Sequence, residues 1–345
     1  MRKYISCMLL LVMVLGITSC DSHLDNNNIE ETDKNDIEET DENDSKNVQE
    51  TAKVIGLSVD QEFESRIDVV NAIKDSAKKK GYRVEEVIAH GDAQTQALQI
   101  ESLIEQDVDV LLVCAVDQSL IEKPLAEVKQ EGIPIVAFDR NLPECDSIDA
   151  YVGPNSINDG MTCGYAMIEA LKGEEEPIYV LDLVGALNDQ NGIERSKGFN
   201  IAMKSMEGVK VIQMPTDWDE KSAMEAVQNA FQSIPNIRAV FCATDSFVPG
   251  VNQVLNRMGL KVPVGTENHI FINGVNGSKE GYEAVVQNEI DGFMVMNLDR
   301  VGQTAVELVQ ALINGKQVQN LNLIESTYYD KTGALENQEF IWGAK

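Results

Sequence analysis

Basic and imidazole side chains are scarce in this chain. Its 345 residues carry 28 lysines and arginines against 57 aspartates and glutamates, a net charge of −29, with only three histidines. Nucleic acids and anionic surfaces call for a basic patch, so this charge argues against either as a partner. Scattered histidines and the lack of any Cys-x-x-Cys pair leave no zinc-ligand spacing, so no metal site is expected. The glycine-rich phosphate and dinucleotide loops are missing, and so is the Gly-x-Ser-x-Gly turn of a serine nucleophile. No histidine lies near a candidate nucleophile. The expectation is a protein that is not an enzyme and holds no cofactor.

What is present begins with an export signal. Arg2 and Lys3 precede an apolar stretch from Ile5 to Ile17, too short to span a bilayer as a mature helix. Ile17-Thr18-Ser19-Cys20 resembles the lipobox of bacterial lipoproteins, in which the cysteine becomes the lipidated first residue. A plain signal cut near Ser19 is the alternative. Residues 21–50 hold 12 acidic and two basic residues, six asparagines and almost nothing apolar. Such a segment buries too little surface to offset its ordering entropy and reads as an extended tether. The expected organisation is a lipoprotein signal over 1–19, then Cys20 and a disordered tether to residue 51. The membrane would be met only through the lipid. Of the other cysteines, Cys114 and Cys242 fall in apolar runs and read as buried thiols, while a Cys145–Cys163 disulfide stays open.

From Ala52 onward, short apolar runs alternate with helical periodicity. Val54–Val59, Val108–Ala115 and Ile133–Phe138 read as strands covered on both faces. Helical spacing fills Ile67–Lys80, Thr95–Gln106 and Leu120–Glu131. The same grammar resumes with strands at Pro177–Leu183, Val209–Met214, Arg238–Ala243, His269–Asn273 and Gly292–Met296, with helices between them. Strand alternating with helix predicts parallel, doubly wound sheets, and this many units predicts two of them. Tyr151–Ser156, with its Gly-Pro pair, reads as a crossing between the two lobes. The predicted boundaries are 52–154 plus 297–325 for one lobe and 155–296 plus 326–345 for the other.

Ligands of open parallel sheets sit at the carboxyl ends of strands. There the chain delivers Asp60-Gln61, Asp139-Arg140, Asn188–Asn191, Asp217-Trp218-Asp219, Thr244-Asp245 and Asn276-Gly277. Arginine and aspartate make planar hydrogen bonds to vicinal hydroxyls, and an indole covers the apolar face of a pyranose. The set suits a polyhydroxylated ligand.

These residues resemble the sugar-binding proteins of bacterial ABC importers, the type I binding proteins related to the ribose- and xylose-binding proteins, over nearly all of 53–320. The resemblance is carried by Ile133–Arg140, Glu194–Phe199, Asp217-Trp218 and Ala239–Asp245, in order and on matching β/α positions. It implies a two-lobed α/β fold joined by a hinge, extracytoplasmic and monomeric. It also implies that Arg66, Asp139 and Arg140 grip ring hydroxyls from the first lobe, while Arg195 does so from the second, with Trp218 stacking on the sugar. Asn191 lies where relatives supply an asparagine. The chain departs from the pattern at Arg66, where ribose-binding relatives carry a Phe pair. It departs again at Thr244, Asn276 and Met296, where they carry Asn, Asp and another polar residue. Asp245 suits a helix cap and a ligand contact equally, and Met296 suits core and pocket wall equally. The function implied is capture of a small sugar for an ABC permease. Docking on a membrane histidine kinase or chemoreceptor is the alternative. A sugar-responsive repressor of the same core would begin with a helix-turn-helix, where this chain has its signal and tether.

Overall fold

The computed structural model describes residues 52–345 except Pro235. The export signal, Cys20 and the acidic tether lie outside the described residues.

Two six-stranded sheets form the frame. The first runs in the order β11-β5-β4-β3-β1-β2 and is parallel throughout. Its strands are β1 (Val54–Val59), β2 (Arg83–Ile88), β3 (Val110–Val113), β4 (Ile135–Phe138), β5 (Ala150–Pro154) and β11 (Leu321–Ile324). The second runs β12-β10-β9-β8-β6-β7, built from β6 (Ile178–Val184), β7 (Val209–Pro215), β8 (Ile237–Cys242), β9 (Phe271–Asn276), β10 (Gly292–Val295) and β12 (Thr327–Tyr329). Only β12 is antiparallel to its neighbour. The expected pair of doubly wound sheets is therefore present.

Helices α1 (Glu64–Lys79), α2 (Ala93–Glu105), α3 (Glu122–Gln130) and α9 (Leu298–Ile313) cover the first sheet. The second is covered by α4 (Ser156–Ala170), α5 (Gln190–Met203), α6 (Glu220–Ser233), α7 (Val248–Arg257), α8 (Lys279–Val286) and α10 (Lys331–Glu336). Each sheet has an apolar cluster on both faces, which is why its central strands are near-continuous runs of Val, Ile, Leu and Phe. Short polar side chains start the helices that leave the strand ends. Asp92 accepts from the Thr95 N–H, Asp189 from Asn191, Asp219 from Ser222 and Ser278 from Gly281.

Helices α4 and α5 cross unusually closely. A Cβ on Gly160 would lie 1.9 Å from the Arg195 carbonyl oxygen, and one on Gly198 would lie 2.0 Å from that of Ile157. Only glycine permits that approach, which sets the position of the α5 residues Asn191 and Arg195.

One expectation is corrected and one open pairing is decided. Tyr151–Ser156 is not simply a crossing, because Ala150–Pro154 is a fully buried strand and the chain leaves the first sheet only at Asn155. Cys145 and Cys163 are both free; Cys145 packs on the first sheet's core and Cys163 is buried in the second's. Cys114 and Cys242 are buried thiols as expected. Among the described residues, no helix is long and apolar enough to cross a membrane, and no cluster of side chains could hold a metal ion.

Candidate functional site

A cavity of about 380 Å³ lies where the carboxyl ends of both sheets face each other. The loop after β1 contributes Gln61, Phe63 and, on the first turn of α1, Arg66. The turn after β4 contributes Asp139 and Arg140. Across the cleft, Asp189, Asn191 and Arg195 enter from the start of α5, with Trp218, Thr244, Asn276 and Met296 from the ends of β7 to β10.

The first sheet supplies a buried ionic cluster. Arg66 is 1% exposed, and its Nε donates to Asp60 Oδ1 at 2.7 Å while its Nη1 donates to Asp139. Arg140 Nη1 lies 3.0 Å from Asp60 Oδ2 and also donates to the Ala115 carbonyl at 3.0 Å. Burial alone would push these groups toward neutrality, but opposite charges at contact distance reverse that. Burial opposes ionisation of Asp139, yet Arg66 and Arg140 hold its carboxyl below the usual range. Burial likewise opposes charge on Arg66, yet Asp139 and Asp60 hold it well above its ordinary value.

Bonds also cross the cleft. Arg140 Nε meets Asp189 Oδ2 at 2.8 Å, and Asn191 Nδ2 donates to Asp139 Oδ1 at 3.2 Å. Asp189 takes part three ways, since its Oδ2 accepts from Trp218 Nε1 at 3.0 Å while its Oδ1 caps α5. The benzo edge of the Trp218 indole rests on Gly185, where a Cβ would come within 2.3 Å. Arg195, 3% exposed, donates from Nη1 to the Ala243 carbonyl at 2.9 Å and from Nη2 to the Met296 sulfur at 3.2 Å. Thioether sulfur is a weak acceptor, and the buried Arg195 Nε has no partner among the described residues. The guanidinium lines the cavity with Nη2 held, among the described residues, only by that weak acceptor.

Several of these residues hold a left-handed backbone. Asp139 (φ 61°), Asp217 (φ 53°), Trp218 (φ 60°) and Asn276 (φ 141°) all lie at strand ends around the cavity. Such conformations cost about 1–2 kcal/mol each for residues other than glycine, and such outliers cluster at ligand sites.

The structure brings together all the residues singled out from the sequence except Asp245. That residue is fully buried and turned from the cavity, its Oδ2 accepting from the Gly277 and Ser278 N–H groups at 2.7 and 3.0 Å. Burial raises its carboxyl to about 7 despite those bonds. It anchors the Asn276–Ser278 turn. The nearby 3₁₀ turn is capped by Thr244, whose Oγ1 accepts weakly from the Ser246 N–H at 3.4 Å. Met296 is both things at once, 5% exposed in the first sheet's core cluster and lining the cavity.

The model of the periplasmic binding protein domain matches residues 53–317. The chain belongs to the periplasmic binding protein family. Its members are substrate-binding proteins rather than enzymes, and they act outside the cytoplasm. A ribose import binding protein of Bacillus subtilis is 26% identical over 255 residues, covering 73% of this chain and 79% of that protein. A galactofuranose-binding protein of Escherichia coli is 25% identical over 292 residues, 83% of this chain and 90% of the relative. Among solved structures, a Mycobacterium smegmatis protein in complex with β-D-fucofuranose superposes with a TM-score of 0.76 at 21% identity, covering 85% of this chain and 97% of that one. The fructose-binding periplasmic domain of a hybrid two-component system gives 0.74 at 23% identity, over 83% and 93%. The type I fold of this periplasmic binding protein is thereby established.

The sequence places Asp60 and Asp189 at strand ends without giving either a role, and Phe63 is not among the residues named there. Asp60 and Asp189 lie at strand ends, where the ligand rule points, but their role is to hold the arginines. Phe63 sits in the loop after β1, its ring centroid 5.2 Å from the Arg66 guanidinium carbon. It puts an aromatic three residues before Arg66, whereas the resemblance implies a Phe pair at Arg66 itself.

Proposed function

We propose that this protein captures a small neutral sugar between its two lobes and delivers it to an ABC importer, as a lipoprotein anchored through Cys20. The observation that carries the reading is the charge balance of the cleft. Three arginines, Arg66, Arg140 and Arg195, line the cavity against three acids, Glu62, Asp139 and Asp189, around an indole, while Asp60 pairs with Arg66 and Arg140 behind the wall. An anionic ligand would meet a neutral cleft, whereas vicinal hydroxyls find fixed donors and acceptors of both kinds. Relatives named for ribose, allose and galactofuranose support the ligand class.

In this reading residues 52–154 with 297–325 form one lobe, and 155–296 with 326–345 form the other. Arg66, Asp139 and Arg140 contact the sugar from the first. Asn191, Arg195, Trp218, Thr244, Asn276 and Met296 do so from the second. The test is a thermal-shift screen of residues 52–345 against ribose, galactose, allose, arabinose, fructose and myo-inositol. A saturable rise in melting temperature with at least one neutral sugar or polyol is expected; no shift with any of them at millimolar concentration refutes the reading.

A second reading, docking on a membrane sensor instead of a permease, is favoured by the likeness to the periplasmic domain of a two-component system. Pull-down of detergent-solubilised membranes with the loaded protein separates the two: an ABC permease or a sensor kinase is recovered.

A further inference from the structure

Beyond the ring-sized cavity the cleft continues. A second chamber of about 200 Å³ is lined by Asp60, Gly91, Val116, Ala186 and Asn188, and it shares Gln61, Arg140, Asp189 and Trp218 with the first. The shared residues form the partition. The Arg140–Asp189 ion pair at 2.8 Å and the Trp218–Asp189 hydrogen bond at 3.0 Å stand between the two spaces. Gln61 and the indole line both spaces beside that pair. On the far side a further contact bridges the lobes, where Asn188 Nδ2 lies 3.4 Å from Asp117 Oδ2. The second space thus lies between two contacts that join the lobes.

Its lining is that of a saccharide subsite rather than a solvent channel. Val116, Ala186 and the indole provide an apolar wall, while Asn188, Gln61 and Asp189 provide polar groups at its edges. A monosaccharide in the first chamber would leave this wall against water.

We infer that the ligand carries two rings, a sugar residue in the inner chamber and a second, glycosidically linked residue in the outer one, passing between Gln61 and Trp218. The inference rests on the sugar-binding reading and adds the length of the ligand. The Trp218 indole then touches both rings, and the partition fixes the linkage by admitting only a narrow glycosidic bridge.

Titration calorimetry tests it with residues 52–345, using single sugars (galactose, arabinose, glucose, fructose) and disaccharides containing them in α and β linkages. At least one disaccharide is expected to bind about tenfold or more tightly than its better-bound single ring. Val116→Phe, which fills only the outer chamber, should erase that gain while leaving single-ring affinity within about twofold. Asn188→Trp, on an exposed loop, repeats the test should Val116→Phe not fold, and circular dichroism checks both. Single sugars that bind as tightly as every disaccharide overturn the inference and leave the sugar-binding reading standing. So does a variant that weakens rings and disaccharides alike. Binding of neither class overturns both.

Discussion

Replacing Arg66 with methionine should convert the cleft from a pH-indifferent site into an acid-stabilised one. Arg66 is 1% exposed and neutralises two carboxylates, Asp60 at 2.7 Å and Asp139 through Nη1. Methionine keeps the packing volume and removes the charge. Stranding a buried charge by deleting its partner costs about 3–5 kcal/mol. The lower end, about 3 kcal/mol, applies here because Arg140 still holds Asp60 at 3.0 Å. The sign of the pH dependence also changes. In the native protein Asp139 titrates below its usual range, so its contribution is complete above the ordinary carboxyl value and is lost only in strong acid. Without Arg66, Arg140 and Arg195 are the cations left near Asp139, and burial, the largest influence on it, is expected to lift the folded-state carboxyl above its unfolded value. The variant is then more stable when that group is protonated and loses stability as pH rises. Urea unfolding followed by far-UV circular dichroism at pH 5 and pH 8 measures both effects. Arg66→Met combined with Asp139→Asn should recover part of the loss and flatten the profile. A single variant within about 1 kcal/mol of the native protein, with the same profile, would show that solvent or the remaining arginines satisfy these carboxylates without Arg66 and would refute the prediction.

Four further outcomes are expected. Trp218→Ala should weaken sugar binding by about 1–3 kcal/mol in calorimetry without unfolding the protein, and Gly185→Ala, whose Cβ would collide with the indole, should weaken it in the same direction. Asp159 is fully buried, and burial raises it to about 7 despite nearby Arg195 and the Ser326 hydroxyl. Its folded value lies above the unfolded one, so stability falls as pH rises between them, and Asp159→Asn should remove about 2–3 kcal/mol of the fall between pH 5 and 8, read from urea midpoints. Small-angle scattering of residues 52–345 should give a smaller radius of gyration with saturating sugar than without, since a ligand touching both lobes binds the closed form better; superimposable curves would remove the hinge. Cys20→Ala should move the exported protein from membrane to soluble fractions on fractionation.

Central strands were legible because burial on both faces leaves no room for polar residues. The edges were not. Strand β2 reads Arg-Val-Glu-Glu-Val-Ile, and its three charges suit an edge and break the apolar run. Strand β5 was hidden by Gly153-Pro154, although a Cβ at Gly153 would meet the Tyr151 hydroxyl, which itself donates to the Asp139 carbonyl at 2.8 Å. The site could be read as far as position along the strand determines direction, which covers Asp139, Arg140, Trp218 and Asn276. Direction failed at Asp245, because two backbone N–H groups of the neighbouring loop claim its carboxylate. The support given by Asp60 and Asp189 to Arg140 was out of reach, since pairing across 80 and 49 residues leaves no local signal.

The interleaving of the two sheets bears on how the chain assembles during synthesis. Strand β11 and helix α9, which complete the first sheet and pack on α1, come after nearly every strand of the second. A chain emerging in order therefore holds an unfinished first half, with α1 and β5 uncovered, while some 140 further residues are made. The same order means that exchanging one lobe between relatives requires three cuts in the gene, near residues 155, 296 and 325, and a transplant made with a single cut would leave both cores incomplete.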